Sequence, residues 1–439
     1  MGRTRLTEKV IYDKAALKAS CKVLENPTRD TLREGCSVTA PYPLEDHMSV
    51  RRLLALACSA TLFTTGAAFA APAAAPAAAI PKAQWPFQAT TVADFDEPWA
   101  MTFLPDGSLL VSEKRGSLMR LDPKTKRKSA ITGIPTVAYG GQGGFGDVLA
   151  HPRFARNGLV YVSYAEPGEG DTRGGAVARA KLTLDATGGG TLSDFKVIWR
   201  QDPKVTGNGH FGHRLAFDQA GKLWISSSER QKFTPAQDMK ANLGKLIRLN
   251  DDGSVPADNP FVAQGGVAAQ VWSLGHRNIL GIAFDSKGRL WEHEMGPMGG
   301  DELNLIQRGA NYGYPIVSNG DNYDGTPIPD HNTRPEFAAP KISWTPVISP
   351  AGFVIYSGKQ FPTWRGNGFI GGLSSMALVQ VSLGDQPREV ARYDMGARIR
   401  EVEQGPDGAL WLLEDEASGS TGRLLKLTPK SKAAVENDA

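Results

Sequence analysis

Six times along the chain an apolar strand runs into a short Asp-, Asn- or Lys-Gly turn and returns as a second apolar strand: residues 99–113, 144–164, 213–229, 280–294, 352–372 and 400–415. Side chains alternate along both arms, so each unit has two faces, and a lone hairpin can bury neither. Most units are followed by a third strand, as at 117–122 and 245–250. Units recurring at roughly 40 to 80 residues bury their faces by stacking on one another, and the closed form of such a stack is a propeller. The expected fold is therefore all-β, a six-bladed β-propeller. A β-sandwich or a pair of domains is the competing architecture, and the recurrence of like units over the whole chain argues against it. The 49 glycines and 29 prolines fit many short strands and turns. No stretch carries the period of a long amphipathic helix, although residues 234–246 have room for a short one.

The repeat does not begin at the first residue. Met48 opens a basic pair (Arg51, Arg52), an apolar run and an Ala68-Phe69-Ala70 ending, the layout of a secretory signal with cleavage before Ala71. Such a signal works at an N-terminus, so Met48 is the expected start and residues 1–47 an upstream extension that is not native. The domain reading is then extension 1–47, signal 48–70, Ala/Pro linker 71–83, propeller 84–430 and polar tail 431–439. The first 70 residues hold 10 of the 49 Lys and Arg and 7 of the 46 Asp and Glu, leaving 39 of each sign. A neutral mature chain gives no electrostatic support to nucleic-acid binding. Cys21, Cys36 and Cys58 all precede Ala71, so an exported domain would rely on its core, and on metal, rather than on disulfides. The expected location is periplasmic or secreted, with no stable membrane insertion once the signal is removed.

Ligands of a propeller sit at the mouth of its channel, on the loops that join strands and blades, and the unusual residues of this chain fall on such loops. His210, between Gly209 and Gly212, precedes a strand, where a neutral imidazole suits a general base; His213 and Arg214 follow. Arg277 lies before a second strand, and Arg398 and Arg400, two apart, share one strand face, a set suited to an anion with several carboxylates or phosphates. Gln142, among glycines, offers an amide to a buried ligand. Residues 293–315 (HEMGPMGGDELNLIQRGANYGYP) combine a Gly-Pro corner, an acidic pair and a Gly-rich turn, the materials for an oxygen-lined calcium site.

The ordered set GQGGFGDVLAHP, GHFGHRLAF, LGHRNILGIAF, GPMGGDELN, NYGYP, the Trp344, Pro346, Pro350 stretch and RIRE resembles the soluble quinoprotein aldose sugar dehydrogenases of the glucose/sorbosone dehydrogenase family, over residues 84 to 429. The resemblance implies a six-bladed propeller that binds pyrroloquinoline quinone (PQQ) and calcium and oxidises an aldose at C1 to a lactone, for an electron acceptor the sequence does not specify. It implies that His210 is the general base of an H-x-x-x-R motif and that Gln142, Arg277, Asn278, Arg398 and Arg400 contact PQQ or substrate. Gly296 and Pro297 would offer backbone oxygens to the calcium that polarises the quinone, Asp301 would brace their loop, and Glu302 and Tyr312 resemble a second, structural calcium pair. Two positions depart from the family. Met295 stands where relatives usually carry His or Gln, and Ser374 where several carry lysine. A calcium-dependent lactonase-type propeller and a non-catalytic binding propeller are the competing functions; the first needs metal-binding carboxylates in the channel, and neither needs the arginines.

Overall fold

The computed structural model describes residues 77–417 and 419–430, so the upstream extension, the signal and the polar tail lie outside the described residues. Six four-stranded antiparallel blades follow one another along the chain, the first two joined edge to edge by a parallel pairing of Gly190 and Thr191 with Ile131 and Thr132. Blade one is Pro98–Phe103, Leu109–Glu113, Ser117–Asp122 and Arg127–Thr132, and blade two is Phe145–Ala150, Leu159–Pro167, Thr172–Leu184 and Gly190–Arg200. Blade three is Gly212–Phe217, Leu223–Ser227, Lys245–Leu249 and Val271–Leu274; blade four is Ile279–Phe284, Leu290–Glu294, Asp301–Leu305 and Ile342–Trp344. Blade five is Pro350–Ile355, Asn367–Gly372, Ala377–Ser382 and Arg388–Asp394. Blade six takes Ile399–Gln404, Leu410–Glu414 and Arg423–Pro429 from the end of the chain and its outer strand, Phe87–Asp94, from the beginning.

That exchange closes the ring. The first strands of successive blades touch in cyclic order, the sixth returning to the first, so the innermost strands line one closed channel. Each of the six seams has its own apolar cluster: Leu110 and Leu118 of blade one meet Val160 and Val162 of blade two, and Met101 and Val111 on the other face of blade one meet Trp411 and Leu413 of blade six. The remaining seams repeat the arrangement. This is the stacking that the alternating pattern demanded, and the expected six-bladed propeller is the fold. The turns are stapled by their aspartates, Trp224 Nε1 donating to Asp218 at 3.0 Å and Trp291 Nε1 to Asp285 at 3.1 Å.

Two local expectations differ. Residues 234–246 hold only a 3-10 turn, Thr234–Gln237, and the one α-helical turn among the described residues is Phe154–Asn157. The end of the stretch read as an unpacked linker is packed: Ala79–Ile80 pairs in parallel with Arg392 and Tyr393 of blade five, and Ile80 lies against the seam between blades five and six. An Ala/Pro composition underrated the single isoleucine at its end.

One repeated feature positions the site. In every blade a residue at the end of the second strand, inside it in blade two and just past it in the other five, donates its amide to the residue at the entrance of the first. The pairs are Lys114 to Glu97 (3.0 Å), Ala165 to Gly144 (2.8 Å), Ser228 to Phe211 (3.4 Å), Met295 to Asn278 (3.0 Å), Leu373 to Ser349 (3.0 Å) and Asp415 to Arg398 (2.8 Å). A register shift follows in each first strand, and a bulge of this kind bends the strand and re-aims its side chains. The twelve residues form a ring around one mouth of the channel.

Candidate active site

Arg214 makes the floor of this mouth. It leaves the first strand of blade three and crosses the axis to an ion pair with Glu401 of blade six. Its Nε donates to Leu280 O of blade four at 2.7 Å, and its guanidinium lies 4.2 Å from the ring centroid of Trp99 in blade one. One side chain thus ties four blades, which converts a channel into a cup. Arg214 is committed to structure and is not a free anion ligand.

His210 stands at the rim of the cup, buried, with φ at 51°, a left-handed value that a side chain adopts only under constraint. The constraint is visible. Its N–H donates to Gln142 Oε1 at 2.8 Å, and the loop before it is clamped by Arg230, which donates to the carbonyls of Gly207, Gly209 and Arg173. A Cβ at Gly209 would lie 2.3 Å from Gln231 Oε1, so a larger residue there would have to displace that glutamine side chain. Nδ1 of His210 is 2.5 Å from Glu229 Oε1. The carboxylate accepts a hydrogen bond from Nδ1–H, which leaves Nε2 as the lone-pair nitrogen. Burial depresses the His210 pKa below the ordinary histidine value, and the Glu229 hydrogen bond opposes it. For Glu229 burial favours the neutral acid, yet the His210 bond and charge and the backbone amide of Phe233 hold its carboxyl below the usual range. His213, the other histidine of the motif, stacks on Phe211 and meets Trp99 edge-on, and burial pushes its pKa down to about 3. It packs the wall of the cup.

Across the axis, Arg398 Nε and Arg400 NH2 both reach Asp415 Oδ2, each at 3.0 Å. Burial raises the Asp415 pKa, but the two guanidiniums outweigh it and the carboxyl titrates below its ordinary range. Ser374, on the rim in blade five, is exposed and donates to Val347 O at 3.2 Å.

The Gly296 loop is built as expected around Asp301. One carboxylate oxygen accepts from Gly296 N at 2.9 Å, the other from Ile348 N at 2.8 Å and Ser349 N at 2.7 Å. Burial raises its pKa to about 6 against the opposing backbone amides, and the side chain braces the loop backbone. Pro297 is buried in the same turn. The Gly296 and Met295 carbonyls receive Arg277 NH1 at 2.7 and 2.8 Å, while Arg277 Nε and Asn278 Oδ1 are buried without a partner. The Asn278 amide donates to Met295 Sδ at 3.7 Å.

Glu302 and Tyr312 come together around His331, whose Nδ1 is 3.7 Å from Glu302 Oε1 and whose Nε2 is 3.0 Å from the Tyr312 carbonyl. They border a cluster that sequence reasoning missed. His276, Glu292 and Glu294 bring ligand atoms within 4.8 Å of one another, with His276 Nδ1 and Glu292 Oε2 unpartnered and fully buried. Burial, and then the Glu294 charge, push the Glu292 and Glu302 carboxyls well above the usual range. A small cavity lined by Glu294, Gly296, Glu302 and Tyr312 connects this cluster to the Gly296 loop. Glu229 and Asp415 were missed as well. Each lies one or two residues past a second strand, and only the blade register marks those positions as rim.

The comparisons follow the geometry. Residues 95–426 match the family model described as Glucose / Sorbosone dehydrogenase. An aldose sugar dehydrogenase, YliI, of Escherichia coli K12 is 39% identical over 345 residues, 76% of this chain and 91% of that protein. A crystal structure of a glucose dehydrogenase superimposes with a TM-score of 0.73 at 42% identity, over 78% of this chain and all of that one. The PQQ-bound aldose sugar dehydrogenase of Streptomyces coelicolor superimposes with a TM-score of 0.64 at 27% identity, over 78% of this chain and 98% of that one. With its propeller, its histidine-carboxylate pair and its arginine pair at one mouth, this chain belongs to the glucose/sorbosone dehydrogenase family.

Proposed function

We propose that this chain oxidises aldoses at C1 to lactones with PQQ and calcium, His210 serving as general base. The observation that carries the reading is the pairing of His210 with Glu229 on the same rim as Arg277, Arg398 and Arg400. The residues fit the cofactor: three arginines suit its carboxylates, and the unpartnered Arg277 Nε and Asn278 Oδ1 are buried polar atoms that a ligand would satisfy. For calcium, the Gly296 carbonyl on its Asp301 brace is the oxygen donor at hand, with the Pro297 carbonyl beside it. A second cation is supported by Glu302, Tyr312 and the adjoining Glu292 and Glu294: burial and the Glu294 charge disfavour ionisation of Glu292 and Glu302, a penalty that a cation would relieve.

When bound, PQQ supplies the quinone that accepts a hydride, and calcium makes it more electrophilic. His210 Nε2 takes the proton of the C1 hydroxyl as the C1 hydride departs, and Glu229 holds the ring in that tautomer and stabilises the imidazolium. Gln142 fixes the His210 amide. Arg214 and Trp99 close the floor and limit water, and Arg277, Asn278, Arg398 and Arg400 hold the cofactor, with Ser374 beside them. The substrate is an aldose, and the acceptor that reoxidises the cofactor docks from outside the cup. Cleavage before Ala71 would deliver the enzyme to the periplasm or beyond; tryptic peptides from residues 1–60 in exported material would remove that part of the reading.

The direct test is reconstitution. Chelated protein given PQQ, calcium and glucose should reduce an electron-accepting dye, and omission of either addition should abolish it. A chain that ignores PQQ yet opens a lactone with calcium alone belongs to the hydrolase reading.

A further inference from the structure

Of the six amide donors at these second-strand ends, only two carry charge: Asp415 in blade six and Lys114 in the adjacent blade one. Asp415 is spent on Arg398 and Arg400. Lys114 has no ion pair or hydrogen bond to its ammonium among the described residues, where Nζ lies 5.6 Å from the Tyr139 ring centroid. Its neighbour Arg115 takes Glu97, the nearest carboxylate, at 2.9 Å, and Tyr139 Oη donates to the same group at 2.7 Å. The backbone of Lys114 is fixed on both sides, its N–H donating to Glu97 O at 3.0 Å and its carbonyl accepting from Phe145 N at 2.8 Å. Gly144 has no Cβ because one would lie 2.2 Å from that carbonyl. The side chain therefore rises from a fixed point between the Gln142 loop and the arginine pair. It is half-buried; burial lowers its pKa, the Glu97 and Asp415 charges oppose that fall, and the Arg400 and Arg115 charges add to it. This corner of the cup thus holds four cations, Lys114, Arg115, Arg398 and Arg400, against the two carboxylates of Glu97 and Asp415. Glu97 is shared by Arg115 and Tyr139 and Asp415 by two guanidiniums, so the half-buried Lys114 ammonium is the group left to take a further anion.

We propose that Lys114 is an anion-binding residue of the cup, joining Arg398 and Arg400 on a carboxylate of bound PQQ. It thereby supplies from blade one the lysine charge that the Ser374 position of blade five lacks. The proposal rests on the cofactor reading above, and its test reads binding rather than turnover. Calcium-loaded apoprotein is titrated with PQQ and, separately, with PQQ trimethyl ester, following quenching of tryptophan fluorescence. Loss of one charge-assisted contact should raise the Kd of Lys114→Met for PQQ about ten-fold, while Lys114→Arg, which keeps the charge, should stay within about three-fold. The ester, with no charged carboxylates, should bind wild type and Lys114→Met alike. Arg115→Met, which removes an exposed cation already paired with Glu97, should leave PQQ affinity unchanged. Lys114→Gln repeats the measurement should the methionine variant fold poorly. Wild type that binds PQQ while Lys114→Met and Lys114→Gln match it would overturn the assignment of Lys114 and leave the function standing. Wild type that binds no PQQ would overturn both.

Discussion

Blades three and six face each other across the channel and use the same device for opposite ends. Each places a carboxylate just past its second strand, Glu229 in one and Asp415 in the other, and each carboxylate reaches back to the entrance of its own first strand. In blade three the partner is an imidazole whose charge can change within the working pH range, so the pair can move a proton. In blade six the partners are two guanidiniums, which carry N–H donors and no acceptor, so the trio can only hold charge. The difference assigns rate to one side of the cup and affinity to the other. Arg214, ion-paired to Glu401, fastens the two blades together beneath the site.

The sharpest way to break this division is His210→Ala. The ring of blades and the arginines do not depend on the imidazole, so the variant should fold and bind PQQ with wild-type affinity. The rate of quinone reduction in a single turnover should fall by about 10² to 10⁴-fold, the worth of a positioned base. His213→Ala is the control, because His213 is wedged between Phe211 and Trp99; it should lower the melting temperature and spare the rate of the folded enzyme. If His213→Ala were the dead variant and His210→Ala were not, the base would be misassigned.

Glu229→Gln should act more gently and through pH. The wild-type rate should rise with pH and level off, with a midpoint below the ordinary histidine value, because burial disfavours the imidazolium. The Glu229 hydrogen bond and charge push the His210 pKa upward, so removing the charge must move that midpoint to lower pH. The plateau should drop as well, by about ten- to a hundred-fold, the cost of losing the group that orients a working imidazole. A lower plateau with an unmoved midpoint would make Glu229 a packing residue only.

Much of this was legible in the sequence, and for a physical reason. Alternating apolar residues across glycine turns have one economical way to be buried, so the propeller could be read from the hairpins alone. His210, Arg398 and Arg400 were legible because glycines or i, i+2 spacing single them out. Strand alternation does not separate His210 from His213. Both have positive φ, at 51° and 77°, so neither obeys strand geometry, and it is the Glu229 contact that distinguishes them. Glu229, Asp415 and Lys114 were not legible because each follows an ordinary strand; their meaning comes from the register that carries a second-strand exit back to a first-strand entrance. His276, Glu292 and Glu294 were hidden likewise: Glu292 and Glu294 look like alternate residues of one strand, and His276 joins them only after the sheet has formed.

On the affinity side, Arg400→Ala should weaken PQQ binding by about ten-fold, the usual effect of losing one charge-assisted contact to a buried anion. Single-turnover reduction at saturating PQQ should be nearly unchanged. A change confined to the KM for sugar would move Arg400 to the substrate and dissolve the division between the blades.

Asp415→Asn is the finest probe, because its expected effect is small and opposite in sign. The carboxylate that holds Arg398 and Arg400 in the free protein also competes with a cofactor carboxylate for the same guanidiniums. Asparagine keeps the shape and one acceptor oxygen while removing the charge, so the arginines stay near their places with their positive charge uncompensated. PQQ should then bind tighter by about three-fold, since partly exposed ion pairs are worth only about 0.2 to 1 kcal/mol, and added salt should weaken that binding more steeply than in wild type. The free protein should lose a little thermal stability for the same reason, and PQQ should restore it. If Asp415→Asn instead binds PQQ more weakly, the carboxylate acts mainly by orienting the arginines. Blade six would then resemble blade three more closely than their chemistry suggests, with an acidic residue in each whose task is to aim its neighbour.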